Sequence, residues 1–108
     1  MSSQKGALKA IGAAIQAKKY DDAVEQAERL IASDPKNYQG NVFLGFALEK
    51  LNRYSDAEKA YIAATQIKDG DTQAWQGLIK LYEKQGNNKI DEYQAAALRL
   101  AQIYQDQD

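Results

Sequence analysis

The sequence predicts an all-α fold, a right-handed solenoid of three helix pairs, on two observations. The first is a self-similarity at a period of 34 residues: Tyr20-Asp21-Asp22-Ala23 recurs as Tyr54-Ser55-Asp56-Ala57, and Ser33-Asp34-Pro35 falls level with Ile67-Lys68-Asp69. A period of that length holding a helix, a turn and a second helix describes stacked hairpins, each of which buries its apolar face only against its neighbours. The second is a series of six segments with apolar residues at helical spacing, separated by turn-forming residues. Solenoids of this kind present surfaces for binding, so the repeat points to an interaction module.

The first helix is expected from about Gln4 to Lys18, with Leu8, Ile11 and Ile15 on one face. The second, about Asp21 to Ala32, carries Ala23, Ala27, Leu30 and Ile31 and stops before Ser33-Asp34-Pro35, because proline disfavours helix in the residue before it. Asn37 restarts the chain. The third, about Tyr38 to Leu51, packs Leu44, Ala47, Leu48 and Leu51, with Gly45 where a helix pair needs close backbone approach. Ser55 followed by Glu58 reads as a reciprocal N-terminal cap opening the fourth helix, whose stripe is Ala57, Tyr61, Ala64 and Ile67. Asp69-Gly70-Asp71 separates it from a fifth helix, Thr72 to Gln85, with Trp75, Leu78, Ile79 and Tyr82 inward. After a longer turn, Gly86-Asn87-Asn88-Lys89, the last helix runs about Asp91 to Tyr104 and presents Tyr93, Ala96, Ala97, Leu100, Ile103 and Tyr104. The units are one domain, with repeats at about 4–37, 38–71 and 72–105.

Composition removes several classes of chemistry. Lys plus Arg number 14 against 15 Asp plus Glu, for a net charge of −1, so no global basic field favours nucleic acid. The absence of Cys and His removes disulfides, thiolate chemistry, the usual zinc sites and the commonest proton shuttle. No apolar run is long enough to span a membrane, and the mean hydropathy is −0.64. Lys5, Lys9, Lys18 and Lys19 in an acid-poor opening stretch resemble a transit peptide superficially, but the segment lacks Arg and is needed as the first helix.

Leu44-Gly45, Tyr54, Ala57, Tyr61 and Ala64 in the second copy resemble the tetratricopeptide repeat, with Asp69 where its closing Pro stands. The first copy keeps Tyr20, Ala23 and Pro35 but reads Ala10-Ile11 for Leu-Gly, and the third keeps Trp75, Leu78 and Tyr82 with about two extra residues in its turn. A narrower resemblance rests on Lys36-Asn37-Tyr38, Val42-Phe43-Leu44-Gly45, Gln73-Ala74-Trp75-Gln76-Gly77-Leu78 and Asp91-Glu92-Tyr93, and on repeats that start almost at Met1. These stretches look like the extreme N-terminus of the scaffold subunits of the superkiller complex. That resemblance implies an N-terminal arm of a longer solenoid, without cofactor or catalysis. It also implies a cytoplasmic location and partners comprising a DExH-type RNA helicase, WD40 propeller subunits and an exosome adaptor in 3'-to-5' mRNA decay. The other reading is a generic peptide-binding adaptor of another pathway.

Helix A lines the concave groove in the family, so Val42, Phe43 and Phe46 form a candidate partner-binding patch, the alternative being that the phenylalanines pack against adjacent repeats. Lys80 and Lys84, four apart on the fifth helix, and Lys50 on the third could hold an acidic peptide or a phosphate chain, or form a solvated face neutralised by Glu49 and Glu83. Direct RNA binding through those lysines is a third reading, to be judged by its salt dependence. The positions that grip a C-terminal carboxylate in cochaperone repeats read Leu8, Gly12, Phe43, Gln73 and Gly77, which disfavours that function. Trp75, Tyr20, Tyr54 and Tyr61 have the spacing of core residues. The acids Asp21, Asp22, Asp56, Glu58, Asp69 and Asp71 sit at helix starts and turns, where they cap free N–H groups rather than bind metal. Apolar residues on the last helix leave an uncapped end prone to artificial self-association.

Overall fold

The computed structural model describes residues 2–107; Met1 and Asp108 lie outside the described residues. Six α-helices follow one another: α1 (Ser2–Gln16), α2 (Tyr20–Ser33), α3 (Tyr38–Lys50), α4 (Tyr54–Ile67), α5 (Thr72–Gln85) and α6 (Ile90–Asp106), with a turn of 3-10 helix at Gly86–Lys89 before the last. They form three hairpins stacked into a right-handed solenoid. Each helix packs on the next in sequence, and α3 also touches α1 and α5. Among the described residues the even-numbered helices make no such contact with one another. The odd helices therefore form the closely spaced inner layer and the even helices the splayed outer one, and that difference in spacing gives the stack its concave face.

The core runs continuously through the three hairpins. Ile11, Ala23, Ala27, Ala47, Ala57, Ala64, Ala74 and Leu81 are wholly inaccessible, with Leu78 and Tyr61 nearly so. The many alanines let helices approach closely, and the larger side chains fill the space between layers, each buried Leu or Ile contributing about 1.5–3 kcal/mol. Tyr61 is the largest of the fully buried side chains. It lies against two glycines of the inner layer: a β-carbon at Gly45 would come within 2.9 Å of its ring, and one at Gly77 within 2.4 Å. Gly45 thus makes room for a side chain from α4, not for a neighbouring backbone.

The turns inside the first two hairpins are built alike. Lys18 and Asn52, 34 residues apart, both take φ of 62°. The next residue in each turn returns its N–H to the helix just ended, Lys19 to the Ala14 carbonyl at 2.8 Å and Arg53 to the Leu48 carbonyl at 2.9 Å. These are Schellman closures, which satisfy the carbonyls left open at a helix end. Gly86 stands a further 34 residues on and is again at positive φ, 70°, but there the chain makes a 3-10 turn and α6 starts two residues late against the period. The lengthened third turn expected from sequence is this one.

The closures overturn the expected cap at Ser55 and Glu58. Arg53 ends one turn and begins the next helix, so α4 starts at Tyr54 and Ser55 falls inside it; no side chain caps this end. The Arg53 guanidinium pairs instead with Asp56 at 3.0 Å. Glu58 is drawn away to α5 and the 3-10 turn that follows it, accepting the Tyr82 hydroxyl at 2.8 Å and pairing with Lys89 at 3.4 Å. Between hairpins, side-chain caps do form: Asn37 Oδ1 accepts the Gly40 N–H at 2.8 Å and Asp71 Oδ1 the Gln73 N–H at 3.1 Å. Asp69 does not cap; its carboxylate meets Arg99 of α6.

A second correspondence is invisible to residue type. Trp75 Nε1 donates to the Asp69 carbonyl at 3.0 Å, and Asn41 Nδ2 donates to the Pro35 carbonyl at 3.3 Å. Each reaches six residues back, and the two pairs are 34 apart. An indole and a carboxamide therefore fasten the same turn to the same helix, and Trp75, half-buried against the core, serves packing as expected. Tyr104, expected inward, is 46% exposed, its hydroxyl accepting from Gln76 at 2.8 Å.

Candidate interaction groove

The inner layer opens into a groove of about 310 Å³ lined by Ile15 of α1, by Gln39, Val42, Phe43, Phe46, Glu49 and Lys50 of α3, by Tyr61 of α4, and by Gln73, Gln76, Gly77 and Lys80 of α5. Five of the six residues singled out in the sequence share this surface: Val42, Phe43, Phe46, Lys50 and Lys80. Their convergence follows from helical geometry. Val42, Phe46 and Lys50 are successive i, i+4 neighbours on α3, and Lys80 occupies the facing side of α5.

Both phenylalanines line the groove and also pack on the preceding hairpin. The Phe46 ring sits 6.5 Å from that of Tyr20, tilted by 58°, with Lys50 Nζ 5.2 Å from its centroid on a cation–π contact. The Phe43 ring lies over α1 where Gly12 leaves room, 3.8 Å from the position of a β-carbon there. The two sequence-level alternatives are therefore realised together: the rings stiffen the joint between hairpins while presenting their remaining edges to the groove.

Lys84 is placed differently. Its amine forms a 2.9 Å ion pair with Glu49, a residue only 4% exposed, and it does not line the groove. The Glu49 carboxylate holds the Lys84 ammonium above the usual lysine range. This pair ties α3 to α5 and neutralises the buried acid that lines the groove. Among the described residues no carboxylate pairs with Lys50 or Lys80, so the open rim is positive.

Tyr61, Gly77, Ile15 and the three glutamines were not singled out as binding residues. Gln73 and Gly77 had a signal, since they stand with Phe43 at the positions that hold a terminal carboxylate in cochaperone repeats. Tyr61 had none, because a buried stripe position does not reveal that its edge reaches the other face. Among the described residues no group of three or more acids could hold a metal ion, and no helix is long and apolar enough to cross a membrane.

Residues 14–82 match the family model for the tetratricopeptide repeat. The chain belongs to the tetratricopeptide repeat family. The repeat domain is 42% identical over 79 residues to superkiller protein 3 of Schizosaccharomyces pombe, covering 73% of this chain and 6% of that protein. It is 33% identical to superkiller complex protein 3 of Homo sapiens along its whole length, and 7% of the human protein is covered. The repeat domain thus spans a small fraction of the length of the relatives it matches. Among solved structures, MamA MSR-1 C2 superposes with a TM-score of 0.86 at 21% identity, over 97% of this chain and 59% of that one. The second repeat domain of Spaghetti (RPAP3), bound to an HSP90 peptide, gives 0.82 at 19% identity, over 95% and 99%. At those identities the likeness is one of fold.

Proposed function

We propose that the repeat domain is a non-catalytic protein-interaction scaffold, the N-terminal arm of a superkiller-complex scaffold subunit acting in cytoplasmic, exosome-linked 3'-to-5' mRNA decay. The observation that carries the pathway is the match to superkiller complex protein 3 along the full length of this chain. The matched length includes the A helices that build the groove. The site of contact in this reading is the groove of Val42, Phe43 and Phe46, with Lys50 and Lys80 at its rim and Lys84 acting through Glu49. Its partners are the RNA helicase, propeller subunits or exosome adaptor of that assembly. Its work is the burial of apolar surface, with no bond made or broken.

The test is affinity capture from cytoplasmic extract with the wild-type chain and the Phe43→Ser/Phe46→Ser variant, read by mass spectrometry. Recovery of a DExH helicase, propeller subunits or exosome components by the wild type alone supports the pathway and the groove together. Recovery by both proteins moves the contact to another face, and recovery of none by either rejects the superkiller assignment.

A further inference from the structure

We infer that the floor of the groove reads a neutral carboxamide, the side chain of an Asn or Gln on a partner protein, with the Tyr61 hydroxyl as donor and the free oxygen of Glu49 as acceptor. This rests on the reading of the groove as the interaction surface and names two residues that select what enters it.

Three tyrosines are buried among the described residues. Tyr38 donates its hydroxyl to Asp71 at 2.9 Å and Tyr82 donates its own to Glu58 at 2.8 Å. Tyr61 is the most deeply buried of the three, 2% exposed, yet its hydroxyl has no partner among the described residues. A hydroxyl buried without a hydrogen bond forfeits free energy, and no described side-chain oxygen that is sealed from solvent lacks one. The Tyr61 hydroxyl is therefore not sealed; it opens on the groove that the residue lines. Gly77 makes this possible. A β-carbon there would stand 2.9 Å from the hydroxyl oxygen, so the phenol occupies space that a side chain at this position would fill.

Glu49 supplies the acceptor. It lines the same groove and spends Oε2 on Lys84 at 2.9 Å, while Oε1 has no partner among the described residues. Its carboxylate lies near enough to Tyr61 to reinforce the effect of burial in keeping the phenol protonated, so at neutral pH the phenol is a donor.

The two groups define the occupant by what each alternative would leave unpaired. A carboxamide carries an accepting C=O and a donating N–H group side by side, one for each. A carboxylate would accept from Tyr61 and offer Glu49 no donor. An ammonium or guanidinium would donate to Glu49 and offer Tyr61 no acceptor. An aliphatic side chain would cover both groups and pair neither, the case that a hydrogen-bonding site rejects most strongly. At about 310 Å³ the cleft lies at the small end of ligand pockets, room for one amide side chain with its stem against Val42 and Phe46.

NMR titration of the intact chain with 3-phenylpropanamide and with 3-phenylpropanoate tests the inference, the phenyl ring serving both probes as an anchor on the Phe43–Phe46 side. We expect the amide to shift the backbone signals of Phe46, Gly77 and Lys80 saturably, and the carboxylate to bind about tenfold more weakly. Tyr61→Phe removes the hydroxyl and keeps the ring against both glycines. It should lower the affinity for the amide about tenfold and leave the unfolding midpoint at the wild-type value, because the hydroxyl has no partner in the fold to lose. No saturable shift with the amide, a carboxylate bound as tightly, or an amide affinity unchanged in Tyr61→Phe each overturns the inference. A lowered midpoint in Tyr61→Phe overturns it as well, by showing the hydroxyl to be engaged within the protein. Adenosine, whose base edge also sets a donor beside an acceptor, is the third probe, and tighter binding of adenosine than of the amide would make the occupant a nucleic acid. The titration needs no partner protein, so its result stands whether or not superkiller components are captured in the preceding experiment, and the two failures are distinguishable.

Discussion

The Tyr61 ring rests directly on Gly77: a β-carbon at that glycine would fall 2.4 Å from its Cε1 and Cζ atoms. One aromatic side chain from the outer layer thus sets how closely α3 and α5 approach, through Gly45 on one side and Gly77 on the other. Gly77→Ala should therefore destabilise the fold by overpacking, by about 1–3 kcal/mol, read as a lower midpoint of thermal or urea unfolding. Because the clash is with this ring, Tyr61→Leu should make the alanine nearly harmless. Equal losses from Gly77→Ala in both backgrounds would place the strain elsewhere.

The Glu49–Lys84 pair should matter more than its exposed lysine suggests. Lys84→Met leaves a buried carboxylate without its partner, and we expect a loss of about 1 kcal/mol, below that of a fully buried pair because solvent screens the lysine end. Adding Glu49→Gln should restore most of it, since the amide keeps the shape and removes the stranded charge. A double-mutant cycle in denaturant measures the coupling, and strict additivity would show the pair to be inert.

Alkaline pH should unfold the protein through its tyrosines. Burial pushes the Tyr38 phenol up to about 12, with the Asp71 carboxylate adding to the shift. Burial likewise raises Tyr61, helped by Glu49, and Tyr82, helped by its hydrogen bond to Glu58. Each is raised above the unfolded value near 10, so between the two values the native state holds protons that the unfolded chain has released. Stability is therefore complete below about pH 10 and falls as pH rises through the native values. The phenolate absorbance and the loss of helical circular dichroism should share one transition for these residues; free titration of all seven tyrosines before unfolding would contradict the burial.

Lys18 is a site where glycine should help. A lysine at φ of 62° holds a left-handed conformation that costs about 1–2 kcal/mol relative to the right-handed one. Part of that is recovered by Lys18→Gly, net of the greater freedom glycine gives the unfolded chain, and a rise of roughly 0.5–1 kcal/mol in stability is expected. Gly86→Ala should do the opposite, because φ of 70° with ψ of −139° lies where side chains are rarely tolerated. Unfolding midpoints of the two variants moving in the same direction would contradict the turn geometry.

Sequence alone determined the all-helical solenoid, the six helices to within about two residues, the lengthened third turn and the patch of Val42, Phe43 and Phe46. These follow from local rules: apolar spacing, proline and the turn residues around Asn37 and Asp71 act within a few positions of the chain. The Ser55–Glu58 cap failed because a local pattern met a stronger demand, the closure of α3 through Asn52 and Arg53 and the pull of Tyr82 and Lys89 on Glu58. Only the tertiary structure could show that Asn41 and Trp75 make the same tie, since their side chains share nothing but an N–H at the same reach. It alone decided that Glu49, one of the two acids named for neutralising this face, takes Lys84, and that among the described residues no acid pairs with Lys50 or Lys80. Which charges are neutralised depends on distances between helices more than thirty residues apart, and residue spacing within one helix carries no information about them.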